Sequence, residues 1–238
     1  MVREFQDPGD QEIVGLLASS LALGRVNSIL KTLRRVLRNF SEPRWELLAL
    51  DEGEIARRCK GFVYRFYTAS DLVDLLLGIR RCVSDFGSLN GAFLSEAQDE
   101  PLTRRLERFV SLLQPQGGKL KMIAAPTGGS CCKRLHLYLR WMVRSDAVDP
   151  GCWSDVDPAK LLVPVDTHML KVSRILGFTQ RVRPDAKATM EITSAFREIR
   201  REDPVKYDFC LTRIGIHPTL DYLTVFGREH ALLKLPKD

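Results

Sequence analysis

The chain has 238 residues, 45% of them hydrophobic and 28% charged, and a formal charge of +6. That length supports a sizeable core, as one domain or as two lobes, and the composition is ordinary for a globular protein. No apolar run approaches the ~20 residues that span a bilayer, and Met1 to Glu12 carries no secretory pattern, so the expectation is a cytoplasmic protein with no membrane partner.

The hydrophobic pattern is helical almost throughout. Asp10 stands where it would cap a helix over 11–23, with Ile13, Leu16, Leu17, Ser20 and Leu21 on one face and Gly24 beyond its end. A basic helix follows over 26–40, and short helices over 44–50 and 51–59 come after Pro43. Gly61-Phe-Val-Tyr-Arg-Phe-Tyr is a strand-like aromatic patch or a buried turn. Ser70 or Asp71 starts a helix to about Phe86, another crosses Pro101–Leu113, and Gln114-Pro-Gln-Gly-Gly breaks the chain. Helices over 131–144 and 167–176 flank a Pro/Asp/Gly-bearing loop at 145–160. Two more lie near 185–201 and 204–216, separated by Asp203-Pro204. With no repeats and no alternating strands, the expected class is all-α with a minor β segment near 61–67, forming one domain over 1–238 with two lobes.

The excess positive charge favours an anionic partner, nucleic acid before membrane. It comes in short clusters: Lys31/Arg34/Arg35/Arg38, Arg57/Arg58/Lys60, Arg80/Arg81, Arg104/Arg105/Arg108 and Lys133/Arg134/Arg140/Arg144. Each alone reads as a solvated helix face, whereas five together suggest a surface that tracks phosphates. The six cysteines follow neither zinc-ribbon nor disulfide spacing and read as reduced thiols. Cys132 and His136 lie at i, i+4, but two ligands make no metal site, and no cofactor or metal is expected.

Two stretches carry the chemistry. In Leu162-Val-Pro-Val-Asp-Thr-His-Met-Leu-Lys-Val-Ser-Arg-Ile-Leu-Gly177, Asp166 would cap a helix whose apolar face is Met169, Leu170, Val172 and Ile175, with Gly177 as its stop. In Gly128-Gly-Ser-Cys-Cys-Lys-Arg-Leu135, a glycine turn runs into a helix that begins near Lys133. A helical wheel puts Lys133, Arg140 and Arg144 within roughly 40° of one another. Trp141 and Trp153 flank the start of the 145–160 loop and are pocket candidates or core residues. His168 falls in the first turn after Asp166, where a structural hydrogen bond is the simpler role, and Phe62, Tyr64, Phe66 and Tyr67 read as core or as base-stacking rings.

Val163-Pro-Val-Asp-Thr-His, followed by a basic, apolar helix, resembles the catalytic-aspartate segment of the helix-hairpin-helix DNA glycosylases, the endonuclease III superfamily. Together with Asp10-Gln-Glu-Ile-Val-Gly-Leu-Leu-Ala, Lys133-Arg-Leu-His-Leu-Tyr-Leu-Arg-Trp-Met-Val-Arg and Asp203-Pro-Val-Lys-Tyr-Asp-Phe, it resembles a bacterial family of unknown function placed near those glycosylases. The resemblance implies a two-lobed helical fold with a divergent hairpin at about 114–133 and a monomer acting, in association with the nucleoid, on double-stranded DNA with a damaged base. Its implied chemistry is glycosylase and abasic-site lyase. Lys133 is the nucleophile that forms a Schiff base, and Asp166 the proton acceptor and charge stabiliser. The turn Gly128, Gly129, Ser130, with Arg134, Arg140 and Arg144, would hold DNA phosphate. Lys160 and Lys171 are weaker alternatives for the nucleophile. Two departures stand out: the glycines are adjacent and Lys133 follows Gly129 by four residues, and Lys133 precedes Asp166 by 33. The archaeal 8-oxoguanine glycosylases look similar in the long interval, which points to an oxidised purine as the lesion. A nucleic-acid-binding protein without chemistry on the same scaffold is the alternative.

Overall fold

A computed structural model describes residues 1–95, 100–215 and 222–227. The class is the expected one: mostly helix, with a two-stranded sheet at the aromatic patch. The chain divides into two compact units, residues 1–125 with 141–155, and residues 126–140 with 156 onward. No helix among the described residues is long and apolar enough to cross a membrane.

In the first unit, α1 (Pro8–Ser20) starts earlier than the pattern suggests. Its cap is Asp7, which accepts the Asp10 amide at 3.0 Å, while Asp10 turns inward and accepts the Arg44 amide at 2.8 Å. Pro8 at the first helical position explains the shift, because its fixed φ suits a helix start and it has no N–H to lose. α2 (Val26–Leu37), α3 (Pro43–Ala49) and α4 (Glu52–Arg58, capped by Asp51) follow much as expected.

The aromatic patch is an antiparallel hairpin of β1 (Val63–Tyr64) and β2 (Tyr67–Thr68), with Arg65 in the left-handed region at φ 55°. α5 (Ala69–Phe86) then starts from a reciprocal capping box between Thr68 and Asp71 and stops at Gly87, φ 76°. It is the centre of this unit: Leu72, Leu75, Leu76, Ile79 and Cys82 are buried, and α3, α4, α6 (Leu89–Leu94) and α7 (Leu102–Leu113) pack on it. The short helix α6, capped by Ser88, is absent from the sequence reading because one and a half turns leave too little periodicity to see.

The second unit contains most of α8 (Lys133–Val143), the unit boundary falling between Arg140 and Trp141. It continues through a 3₁₀ turn at Pro158–Lys160, α9 (Thr167–Ile175), α10 (Ala186–Ile199, capped by Asp185) and α11 (Asp208–Ile214), which packs on α9. A five-residue α12 (Tyr222–Phe226) is the last described element. The final helix expected near 204–216 begins late, since a turn over 204–207 precedes Asp208, and its residue 216 lies outside the described residues. The hairpin expected at about 114–133 is not one element. Residues 114–125 belong to the first unit and 126–133 to the second, where only the 3₁₀ turn Pro126–Gly128 precedes α8.

Gly78 marks a close approach of α5 to the end of α7: a Cβ there would lie 2.3 Å from the Leu113 carbonyl oxygen. Helix propensity favours Ala over Gly by about 1 kcal/mol, but a methyl group against a backbone carbonyl cannot be relieved by a rotamer change. Gly78→Ala is therefore expected to destabilise the protein by about 1–3 kcal/mol, read as a lower urea midpoint. A more stable Gly78→Ala protein would show that α5 and α7 have room to separate.

Candidate active site

The site is built from a buried extended segment that delivers one carboxylate. Leu161 to Val165 are all buried, and the Val163 amide donates to Thr193 Oγ1 at 3.0 Å, which ties the segment to α10. Thr193 is itself held, donating to the Thr189 carbonyl at 2.7 Å. The chain leaves this clamp at Asp166, whose extended backbone (φ −116°, ψ −171°) ends the segment and opens α9. One carboxylate oxygen, Oδ1, accepts the Met169 amide at 2.8 Å, satisfying a donor of the first turn. Met169, Leu170, Val172, Ser173 and Ile175 bury the inner face of α9. The helix stops as the glycine suggested: Gly177 has φ 82°, its amide donates to the Arg174 carbonyl at 3.2 Å, and the Phe178 amide donates to the Ser173 carbonyl at 2.8 Å. That pair of bonds is a Schellman motif. Both ends of α9 are thus pinned, and the Asp166 carboxylate is fixed in direction.

The second oxygen, Oδ2, meets Lys133 Nζ at 3.0 Å. The lysine arrives from the other side of the sequence through a strained corner. Gly129 has φ 71° and Cys132, immediately before α8, has φ 41°, rare for a residue with a side chain. Local bonds hold this corner. The Cys132 amide donates to Ser130 Oγ at 3.2 Å, and the Gly129 carbonyl accepts the Ala186 amide at 2.9 Å. Ser130 also bridges Asp185, the cap of α10. The turn that launches Lys133 is therefore stapled to the start of the helix that clamps the Asp166 segment.

The pair is only partly covered: the lysine side chain is 35% exposed and the aspartate 19%. A ligand can therefore reach both groups. Burial acts to raise the Asp166 pKa, but the Lys133 ammonium, the Met169 amide and the charge of His168 outweigh it and hold the carboxyl below its ordinary value. Asp166 is ionised throughout the neutral range. One turn beyond Lys133, His136 is buried and its pKa is pushed down to about 4 by that burial, so the ring is neutral. Its Nδ1 has no hydrogen-bond partner among the described residues. No group of three or more His, Cys, Asp or Glu side chains positioned to hold a metal occurs among the described residues.

The remaining expected site residues separate into two groups. Gly128 and Gly129 are exposed, with open space where a Cβ would stand, and Ser130 and Arg134 are half-buried. His168 is half-buried and acts on Asp166 through its charge. Arg140 and Arg144, in contrast, are not on a DNA-facing stripe. Arg140 is buried in an ion pair with Asp208 of α11, and Arg144 is buried in ion pairs with Asp149 and with Asp146, the latter at 2.9 Å. A wheel aligns both with Lys133, but α8 ends at Val143, before Arg144, and a wheel shows nothing of the acids that cover a face. Trp153 is also corrected, from pocket wall to core: it is 1% exposed, stacks on Phe93 at 5.4 Å and donates to Glu12 Oε1 at 2.7 Å, all within the first unit. Trp141 is half-buried and belongs to the first unit as well. Of the weaker lysines, Lys160 is exposed at the end of its 3₁₀ turn and Lys171 is half-buried on α9; the carboxylate is paired with Lys133. Sequence reasoning missed Thr193 and Asp208. Neither has a local signal, because each acts on a residue more than two dozen positions away.

A family model described as "Protein of unknown function (DUF2400)" matches residues 1–217. No curated protein and no solved structure matches the chain.

Two substitutions separate the two jobs of Asp166. Asp166→Ala removes cap and ion pair and is expected to cost about 1–2 kcal/mol, whereas Asp166→Asn keeps an acceptor for the Met169 amide and should cost less. Because the folded pKa lies below the unfolded one, the carboxylate's contribution is fully present above the ordinary carboxylate range and is lost as pH falls through the lowered value. Wild type and Asp166→Asn should therefore converge in stability in acid. Urea unfolding across a pH series reads this, and a gap that persists in acid would contradict the ion-pair assignment.

Proposed function

We propose, for a chain that belongs to the DUF2400 family, a role in DNA repair: a DNA glycosylase with abasic-site lyase activity that excises a damaged base through Lys133. The single observation that carries this reading is the 3.0 Å contact between the Lys133 amine and the Asp166 carboxylate, partly open to solvent at a helix start. An amine and a carboxylate so placed match what the resemblance to the helix-hairpin-helix glycosylases asks of a bifunctional site.

The proposed steps follow from those two groups. The Lys133 ammonium gives up a proton, for which Asp166 Oδ2 is the paired acceptor, and Nζ then attacks the sugar C1′. The new C1′–N bond replaces the glycosidic bond, and the base leaves with the bonding pair and takes up a proton. Ring opening gives a protonated Schiff base. Loss of a proton from C2′ expels the 3′ phosphate and breaks the strand, and water then releases the enzyme. The lowered pKa of Asp166 suits an electrostatic role first, since the carboxylate stays ionised opposite the positive charge that grows on the sugar. Gly128 and Gly129, exposed before α8, leave the backbone open to close approach by a phosphate. An oxidised purine such as 8-oxoguanine is the lesion class favoured by the long interval between Lys133 and Asp166. Binding without chemistry on the same scaffold is the second reading, and the irregular spacing of glycines and lysine favours it.

A single-turnover incision screen on duplexes with oxidised, deaminated and alkylated bases, with borohydride present in parallel, tests the proposal. Wild type is expected to incise one class and to be trapped covalently on it. Lys133→Gln should lose trapping and retain binding, and Asp166→Asn should slow incision by about a hundredfold or more. Trapping that survives in Lys133→Gln would remove Lys133 from the role, and binding without base release from any lesion would favour the second reading.

A further inference from the structure

Among the described residues, most arginines are neutralised or tethered within the protein. Arg57 and Arg58 pair with Glu54, Arg80 with Glu52, Arg104 with Glu107, Arg181 with Glu191, and Arg81 donates to the Gln114 carbonyl. α2 is different. Residues 13–41 contain no acid and five bases, and residues 55–70 contain no acid and four bases. Lys31, Arg34, Arg35 and Arg38 fall at i, i+3, i+4 and i+7, hence on one face of α2, and all four are exposed. Among the described residues, Lys31, Arg34 and Arg38 have no ion pair and no side-chain hydrogen bond. Like charges held together on one face without acids cost free energy unless an anion covers them.

The neighbouring hairpin completes the surface. Arg35 donates to the Val63 carbonyl at 3.1 Å, and Tyr64 Oη and Arg65 Nε both donate to the Leu23 carbonyl, at 2.6 and 3.1 Å. The hairpin is thus fastened to α2 and to the corner before it. Of its aromatic residues, Tyr64 and Tyr67 are buried, as is Phe62 just before it. Phe66 at the tip is 68% exposed and rests edge-on against Tyr67, with ring centroids 4.5 Å apart. An exposed ring on a hairpin fastened to the helix that carries the unpaired bases supplies the two components of single-strand recognition, a stacking platform and phosphate partners. An anionic membrane surface would use the same charges, but α2 turns Leu33 and Val36 into the core and leaves a polar face from Lys31 to Arg38, with no apolar stripe to enter lipid.

We propose that the exposed face of α2 and the β1–β2 tip form a nucleic-acid docking surface on the first unit, where Lys31, Arg34 and Arg38 take backbone phosphates and Phe66 stacks on an unpaired base. This surface goes beyond the Lys133–Asp166 reading and does not require its chemistry.

The test uses the full chain, with a labelled oligothymidine strand and an undamaged duplex titrated across a salt series. Lys31→Gln, Arg34→Gln and Arg38→Gln combined should reduce the slope of log affinity against log salt on the duplex by about 2–3. The charge-conserving combination Lys31→Arg, Arg34→Lys and Arg38→Lys should keep it. Phe66→Ala should weaken oligothymidine binding by about five- to hundredfold and leave the duplex slope unchanged. Neither readout involves base release or borohydride trapping, which separates failure of this surface from failure of the lyase reading. An unchanged slope in the glutamine variant, or the same loss in both triple variants, overturns the proposal. So does wild-type binding to phosphatidylserine vesicles without binding to either oligonucleotide.

Discussion

The site depends on one carboxylate that works in two directions. Asp166 Oδ1 closes the first turn of α9 and Oδ2 holds the Lys133 amine, so the residue that starts the helix also sets the distance to that amine. Capping alone would be served by Ser, Thr or Asn, which rank close to Asp at such positions. The ion pair requires the charge. A group at a helix N-terminus is also favoured as an anion by the macrodipole, so cap and lysine act in the same sense on its ionisation. The surrounding structure keeps this arrangement rigid. Thr193 fixes the approach to Asp166, the Schellman end fixes α9, and the Gly129–Cys132 corner, stapled to Ala186, fixes the start of α8.

The protein also divides its positive charge by environment. Arg140 and Arg144 are buried with acids, and such pairs add little net stability while removal of one partner costs about 3–5 kcal/mol. Lys133 shares its helix with Arg140 but keeps a third of its side chain in solvent, which suits a group that must meet a ligand. The α2 face goes further still, with exposed bases and no acids in the segment that carries them.

Much of this was legible in the sequence, and the failures have physical causes. The Val163–Gly177 segment was read correctly at both ends, because a capping Asp and a C′ glycine are local signals. The turn-helix pattern singles out Lys133, and its amine lies 3.0 Å from the Asp166 carboxylate. Cap identity at α1 failed because Pro8 makes Asp7 the better start, although Asp10 carries the same side chain. Arg140, Arg144 and Trp153 failed for a different reason. Periodicity tells which residues share a face, and only the tertiary fold tells what covers it: Asp208 from α11, Asp149 from the loop, Phe93 and Glu12 from far along the chain. The four aromatic candidates near residue 65 could not be ranked from sequence either. A two-residue hairpin alternates its faces, and only Phe66 ended outside.

The central claim is that Lys133 is the amine that meets the sugar, by virtue of its pairing with Asp166. Peptide mapping by mass spectrometry of the wild-type protein reduced with borohydride on abasic-site DNA tests this directly, since the adduct stays on the nitrogen that formed the imine. The deoxyribose-derived mass should fall on the peptide that contains Lys133. An adduct on Lys160, Lys171 or the N-terminal amine, with Lys133 unmodified, would contradict it.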